Sequence, residues 1–311
     1  MMKEFDVVII GAGPGGMTSA LYASRANLSV VMLDRGLYGG QMNNTAAIEN
    51  YTGFKSVMGP DLAKDMYKSS TQFGAKYAYG VVESIEDHGR YKIVHTDSGD
   101  YQATVVIIAT GSKNRKLGIP GENEYAGKGV SYCAVCDGNF FRNKKVIVVG
   151  GGNSAISEGL YLSHLVAQVV VIHRRDQLRA DKVYQKRAFA NPKMKFVWNS
   201  NVTKINGDGK KVTGVEVRNK KTGKTSHLTT DGIFIYIGNV PMTSAFKNLK
   251  ITDAKGWIKS NDQMETRIPG IYAIGDVREN QLRQIATAVG DGGIAGQNAY
   301  EYIQSLNDSK N

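Results

Sequence analysis

Residues 5–16 read Phe5-Asp6-Val7-Val8-Ile9-Ile10-Gly11-Ala12-Gly13-Pro14-Gly15-Gly16, and this stretch decides the fold. The β-branched, apolar run over 5–10 predicts a strand. Gly11-x-Gly13-x-x-Gly16 follows it, and a helix is predicted from about Met17 to Ala26. A second predicted strand, Ser29–Leu33, ends at Asp34, completing a βαβ unit. In such a turn the first glycine permits the tight bend and the second lets the backbone approach a pyrophosphate. The third lets helix and strand pack closely. Free N–H groups at the helix N-terminus meet the phosphates. Asp34 lies 18 residues after Gly16, where a carboxylate takes a ribose hydroxyl; its alternative is a solvated strand end.

The same plan recurs 139 residues later. Lys145–Val149 predicts a strand, Gly150-x-Gly152-x-x-Ala155 a second fingerprint, Ile156 to about Leu165 a helix, and Val169–Ile172 the next strand. That interval is too long for a solenoid and suits two separate nucleotide-binding domains. Here the strand ends not in an acid but in His173-Arg174-Arg175, with Arg179 four residues on. A 2′-phosphate needs cations where an NAD site has a carboxylate, so this site is expected to prefer NADPH.

Further predicted strands run into glycine: Thr104–Ile108 before Gly111, Gly232–Ile237 before Gly238, and Gly270–Ile274 before Gly275-Asp276. A helix over about Gly292–Leu306 closes the chain. Two polar stretches, 112–116 and 239–243, read as crossings between domains. The predicted fold is α/β with two Rossmann-like domains. The outer one covers 1–112 and 244–311, and the inner one, 116–240, is inserted into it.

Composition sets the limits. At 311 residues and 41% hydrophobic, the chain can bury a sizeable core, which excludes wholesale disorder. Only 2 Cys excludes a secreted disulfide scaffold. Glu4 and Asp6 stand where a signal peptide carries positive charge, and no stretch is apolar enough to span a membrane. A cytoplasmic protein is expected. The net charge is +11, but Lys and Arg are spread. The densest set, Lys210 to Lys224, surrounds turn signals and reads as a solvated hairpin, so no nucleic-acid partner is expected. His88, His95, His164 and His227 carry no motif.

Both cysteines fall in Cys133-Ala134-Val135-Cys136-Asp137. Two thiols at this spacing can close a redox disulfide, or stand as inert buried thiols. Zinc needs four ligands and there is no second Cys pair, so no metal is expected. Asp137 could exchange protons with a thiol, or serve as a helix N-cap or first-turn acid. The combination is more specific than its parts. A hydride from NADPH and a disulfide each involve an electron pair, and a flavin can relay between them. The outer fingerprint is then expected to hold FAD.

At this point the chain resembles the bacterial low-molecular-weight thioredoxin reductases over essentially its whole length. The resemblance is carried by Tyr132-Cys133-Ala134-Val135-Cys136-Asp137-Gly138, the second fingerprint and the basic strand end. Gly39-Gly40-Gln41, Ile48-Glu49-Asn50-Tyr51-x-Gly53, Gly275-Asp276-Val277-Arg278 and Leu282-Arg283-Gln284 are also family-like. The resemblance implies that Gly11, Gly13 and Gly16 surround the FAD pyrophosphate, with Asp34 at the adenosine ribose. It implies Gly40, Gln41 and Asn50 near the isoalloxazine ring. Asp276 would serve the ribityl or pyrophosphate region, with Arg283 and Gln284 at the flavin. Ser154, His173, Arg174, Arg175 and Arg179 would hold NADPH. Further cofactor contacts are expected at Pro14, Arg35, Thr110, Gly111, Gly275, Ile285, Gly152, Asn153, Ala155, Ile237 and Gly238.

The resemblance also implies a cycle. NADPH reduces FAD, FAD reduces the disulfide through Cys136, Cys133 attacks oxidised thioredoxin, and Cys136 resolves the mixed disulfide, with Asp137 as acid/base. Nicotinamide and dithiol both need the flavin, and family members solve this by rotating the inner domain on two linkers. They are homodimers. Ser157 departs from a pair of acids common after the second fingerprint, and Asp34 from a Glu common at the FAD site. The same chemistry could serve another carrier, glutaredoxin-like or peroxidase-linked. Peroxidase-dedicated reductases often carry an N-terminal thioredoxin-like domain, and here the fingerprint begins at residue 11. A non-catalytic nucleotide-binding redox sensor is the reading from another class. It would bind NADPH without steady turnover.

Overall fold

The computed structural model describes residues 2–45, 48–280 and 282–308. In chain order it opens with β1 (Lys3–Ile10), α1 (Pro14–Arg25), β2 (Val30–Asp34), α2 (Gly59–Thr71) and β3 (Lys76–Tyr79). There follow β4 (Val82–Asp87), β5 (Lys92–Thr96), β6 (Tyr101–Ile108) and β7 (Ser112–Asn114). The middle holds β8 (Val130–Ser131), α3 (Ala134–Asp137), β9 (Lys145–Val149), α4 (Asn153–Leu165), β10 (Gln168–Ile172), α5 (Lys182–Ala190) and β11 (Met194–Val197). Then come β12 (Ser200–Gly207), β13 (Val212–Asn219), β14 (Thr225–Thr229) and β15 (Gly232–Ile235). The chain ends with β16 (Asn239–Pro241), β17 (Ile271–Ala273) and α6 (Ile285–Asp308).

The chain divides into two compact units. One comprises Met1–Lys113 and Val240–Asn311, the other Asn114–Asn239. The connecting strands β7 and β16 pair with each other.

In the discontinuous unit the sheet order is β3-β2-β1-β6-β5-β4, with β17 also on β6. Strands β3, β2, β1, β6 and β17 run parallel. β4 and β5 form an antiparallel hairpin on the N-terminal half of β6. Parallel strands buried on both faces read as unbroken apolar runs, as in Val7–Ile10 and Val105–Ile108. One face packs Val7, Ile9, Met32 and Ile107 with Met17, Leu62 and Ala295 from the helices. The other packs Val8, Ile10, Val106 and Ile108 with Phe246, Leu249 and Ile258.

The continuous unit repeats the device with a parallel sheet ordered β11-β10-β9-β15-β8. Beside it lies the antiparallel sheet β12-β13-β14. Its turns carry Lys210, Lys211, Lys220, Lys221 and Lys224, all exposed, as expected of a solvated hairpin.

Three helices begin earlier than the sequence predicts. α1 starts at Pro14, where a missing N–H costs nothing and the fixed φ suits the first turn. α4 starts at Asn153, directly after the glycine turn. α6 starts at Ile285, seven residues before the expected Gly292. Glycines at 290, 292 and 293 argue locally against helix, yet Gly292 and Gly296 are what let α6 lie against α1.

Candidate functional site

In the discontinuous unit, Gly11 adopts φ +109°, a region open to glycine, and donates its N–H to the Leu33 carbonyl at 2.7 Å. A Cβ on Gly16 would run into the Gly11 carbonyl, so the third glycine is fixed by contact between turn and helix. Gly13 faces open space, and a Cβ on Gly40 would meet the Gly13 Cα at 3.4 Å. Those two glycines are therefore neighbours at the N-terminus of α1.

Asp34 holds this turn. Its Oδ2 accepts from the Ala12 N–H at 2.8 Å and its Oδ1 from the Gly36 N–H at 3.1 Å. Each carboxylate oxygen has a second acceptor site, so a ribose hydroxyl can still be bound.

Several of the other expected flavin-side residues meet in this unit. Gln41 Nε2 donates to the Ser112 carbonyl at 2.6 Å, and Asn50 Nδ2 to Gln284 Oε1 at 2.9 Å. Thr110 Oγ1 donates to the Met242 carbonyl at 2.8 Å, and the Arg35 guanidinium reaches the Met242 sulfur at 3.6 Å. Asp276 sits in a short 3₁₀ turn, Gly275–Val277, and burial pushes its carboxyl up to about 6. The Arg283 charge opposes that rise and the Asp291 charge adds to it. The Arg283 guanidinium lies 4.0 Å from the centre of the Trp257 ring. Its Nε is buried with no partner among the described residues. Gly275 donates its N–H to Asp291 Oδ2 at 2.9 Å, and Ile285 opens α6.

An open glycine turn at a helix N-terminus, a buried carboxyl and an orphaned guanidinium nitrogen are donors and acceptors suited to a pyrophosphate-linked dinucleotide. FAD fits this set.

In the continuous unit, Gly150 donates its N–H to the Ile172 carbonyl at 3.1 Å. The Gly151 carbonyl accepts from the Arg179 and Ala180 N–H groups at 2.7 and 3.1 Å. A Cβ on Gly151 would enter the His173 ring. This glycine is a required residue that motif spacing alone passes over, because its constraint comes from the next strand. His173 is buried, and its Nε2 has no partner among the described residues. Burial, then the charges of Arg179, Arg175 and Arg174, hold its pKa below the ordinary value, against an opposing hydrogen bond to the Gln177 backbone. The ring is therefore neutral at pH 7 and can accept or donate.

The three arginines are exposed, as are Asn153 and Ser154 at the start of α4, while Gly152 faces open space. Asn153 clasps Asp181: its Nδ2 donates to Asp181 Oδ2 and its Oδ1 accepts from the Asp181 N–H, both at 2.8 Å. Ile237 and Gly238 follow β15, and the Gly238 carbonyl accepts from the Arg115 N–H at 2.9 Å. An open turn, a neutral imidazole whose Nε2 has no partner among the described residues, and three exposed cations suit a phosphorylated dinucleotide. NADPH fits this set.

The same unit carries the dithiol, closed as a Cys133–Cys136 disulfide with Cα atoms 5.3 Å apart. Cys133 caps α3, and its Sγ accepts from the Cys136 N–H at 3.2 Å. That contact favours negative charge on Cys133 once the bridge opens. Cys133, not Asp137, is the N-cap of α3; Asp137 is the last residue of this single turn and so its first-turn acid. Its Oδ2 accepts from the Ser131 hydroxyl at 2.6 Å, and Ser131 Oγ in turn accepts from the Cys133 N–H at 3.1 Å. Burial raises the Asp137 carboxyl, with the Ser131 hydrogen bond acting against it. A carboxyl whose burial makes it hold its proton more tightly than a free carboxyl, beside a disulfide, is suited to exchange a proton with sulfur.

Residues 5–292 match the family described as pyridine nucleotide-disulphide oxidoreductase. The chain belongs to this family. It is 54% identical over 307 residues to a thioredoxin reductase of Listeria monocytogenes (strain EGD-e), covering 99% of this chain and 96% of that protein. It is 51% identical to a thioredoxin reductase of Bacillus subtilis (strain 168), covering 99% and 97%. The crystal structure of thioredoxin reductase from Streptococcus pyogenes superposes with a TM-score of 0.93 at 53% identity, covering 98% of this chain and 100% of that one. Within the family the chain is of the bacterial low-molecular-weight thioredoxin reductase type, an oxidoreductase with FAD and NADPH as cofactors.

Proposed function

We propose that the chain carries electrons from NADPH through FAD to the Cys133–Cys136 pair and on to oxidised thioredoxin. The single observation that carries this reading is the Cys133–Cys136 disulfide, seated beside the buried Asp137 on the same unit as a basic dinucleotide turn. The unit bearing Gly11, Gly13 and Gly16 holds FAD, and the unit bearing Arg174, Arg175 and Arg179 holds NADPH. Bound FAD supplies a centre that accepts a hydride and passes electrons to sulfur.

The chain's own residues do the rest. Arg175 and its neighbours bind the 2′-phosphate. Asp137 gives a proton to sulfur as the disulfide opens. Cys133, favoured as thiolate by the Cys136 N–H, attacks the substrate disulfide and expels one substrate thiolate. Cys136 then attacks the mixed disulfide, closes the Cys133–Cys136 bridge and releases the second thiolate, so one electron pair leaves per cycle.

The protein works in the cytoplasm as a homodimer, with neither nucleic acid nor membrane as partner. No helix among the described residues is long and apolar enough to cross a membrane. An apolar groove beside Tyr22, Val289 and Ile294 in the FAD unit offers a face to a second copy, which sedimentation would detect.

Anaerobic titration of the flavoprotein with NADPH tests the redox reading. Full reduction should consume about two equivalents, one for flavin and one for disulfide, and Cys136→Ser should reduce this to about one. One equivalent in the unmodified protein would remove the disulfide from the pathway.

A further inference from the structure

Glu122 is a carboxylate that the cycle above does not use, and it is only 2% exposed. It lies in the continuous unit, between β7 and β8. Three donors converge on it. Its Oε1 accepts from the Leu117 N–H at 2.9 Å and from the Tyr132 hydroxyl at 2.7 Å, and its Oε2 from the Gly118 N–H at 2.7 Å. The loop around it is itself fixed. The Pro120 carbonyl accepts from the Ile205 N–H at 2.9 Å, and the Gly121 carbonyl from the Tyr125 N–H at 3.1 Å. Lys116 Nζ donates to Asn123 Oδ1 at 2.6 Å. Gly121 adopts φ +85°, and a Cβ there would run into the Ile205 carbonyl. Leu117, Ile119 and Tyr132 pack against one apolar cluster that holds Val130 and Ile233.

Tyr132 stands directly before Cys133. The paired register of β8 with β15 covers Val130 and Ser131. Beyond that pairing, side chains hold the chain from two places. Ser131 Oγ accepts from the Cys133 N–H at 3.1 Å and donates to Asp137 Oδ2 at 2.6 Å, while the Tyr132 hydroxyl reaches Glu122. Burial, then the hydrogen bond and charge of Glu122, raise the Tyr132 phenol, so it stays a donor. A buried carboxylate is costly unless donors fill it. Leu117 and Gly118 close the loop on Glu122; the third bond ties that loop to the residue beside the attacking sulfur.

We propose that Glu122 is a positioning residue for the dithiol, which through the Tyr132 hydroxyl sets the pose of Cys133. The assignment rests on the reductase reading above, in which Cys133 is the attacking thiol. With Tyr132 pinned, the backbone that enters α3 is fixed. Cys133 Sγ then stays in reach of the Cys136 N–H, 3.2 Å away in the disulfide form. That N–H favours the thiolate that attacks the protein substrate. Releasing the tyrosine lets the contact lengthen, and the thiol then keeps its proton to higher pH. Neither Glu122 nor Tyr132 acts on sulfur directly in this scheme; both act through the backbone of residues 132 and 133.

The test uses FAD-loaded enzyme carrying Tyr132→Phe, Glu122→Gln or both, with the flavin spectrum and melting temperature as checks on folding. In a Cys136→Ser background Cys133 is the remaining thiol, and iodoacetamide alkylation reads its reactivity against pH. Each variant should move the alkylation profile to higher pH, with a rate at pH 7 lower by about threefold or more. The double variant should match the single ones, because all three break one link. With both cysteines present, kcat with thioredoxin should fall by a like factor. Flavin bleaching by NADPH and KM for NADPH should be unchanged. An unshifted profile in either single variant overturns the assignment. A shift to lower pH in Glu122→Gln also overturns it, because Glu122 would then act by its charge and not through Tyr132. Absence of thioredoxin reduction by the unmodified enzyme would instead overturn the reductase reading. The alkylation profile needs no thioredoxin, so it decides the Glu122 assignment separately.

Discussion

Asp276 shows how a single residue can serve binding at the expense of stability. Burial raises its carboxyl from 3.8 to about 6. The folded chain then binds this proton more tightly than the unfolded chain. Stability of the cofactor-free protein therefore falls as pH rises between those values, by about 3 kcal/mol in all. Asp276→Asn should raise the melting temperature of the FAD-stripped protein at pH 8 and leave it nearly unchanged at pH 4. The same variant should bind FAD more weakly, measured by flavin fluorescence quenching. Equal melting temperatures at pH 8 would contradict the assigned burial cost.

Arg175 belongs to the same scale. Arg175→Ala should raise KM for NADPH about tenfold or more and leave KM for NADH nearly unchanged, because only NADPH carries the 2′-phosphate. The Cys pair, the glycines and the basic strand end are legible in sequence because each constraint is local and spacing expresses it. Trp257 under Arg283, and the His173 ring against Gly151, are not legible. Each depends on residues far apart in the chain that only the sheet order brings together.

At the scale of elements, the two glycine turns are the same solution used twice. Each ends a buried parallel strand and opens a helix, and an apolar run, glycine spacing and helical periodicity reveal both in sequence. The start of α6 is not revealed, because Gly290, Gly292 and Gly293 lower helix propensity where tertiary packing needs small residues. The contact explains them. The Ser19 hydroxyl donates to the Gly292 carbonyl at 3.0 Å, and a Cβ on Gly296 would stand 2.8 Å from the Ser19 carbonyl and 2.7 Å from the Tyr22 Cβ. Gly296→Val should therefore force α6 from α1, destabilising the FAD unit by about 1–3 kcal/mol or more. The loss should appear in thermal unfolding and in FAD retention on gel filtration. Gly290 has open space at its Cβ, so Gly290→Ala should be tolerated or mildly stabilising. Equal behaviour of the two variants would refute the packing argument.

At the scale of the molecule, the two units divide the chemistry. One has an open glycine turn, the buried Asp276 and the Trp257-backed Arg283. The other has three exposed arginines around a neutral His173 and the redox disulfide. Composition excluded scaffolds and spanning helices, and the order of motifs gave the insertion of one Rossmann-like domain into the other. The protein acceptor is written in no short motif, so it comes from kinship with thioredoxin reductases and not from residue spacing. The most direct test of the central claim is the initial rate of NADPH oxidation by the FAD-loaded protein, with and without oxidised thioredoxin from the same organism. The account predicts a large thioredoxin-dependent rate that Cys133→Ser abolishes while NADPH still bleaches the flavin. A rate unchanged by thioredoxin, or one that survives Cys133→Ser, would contradict it.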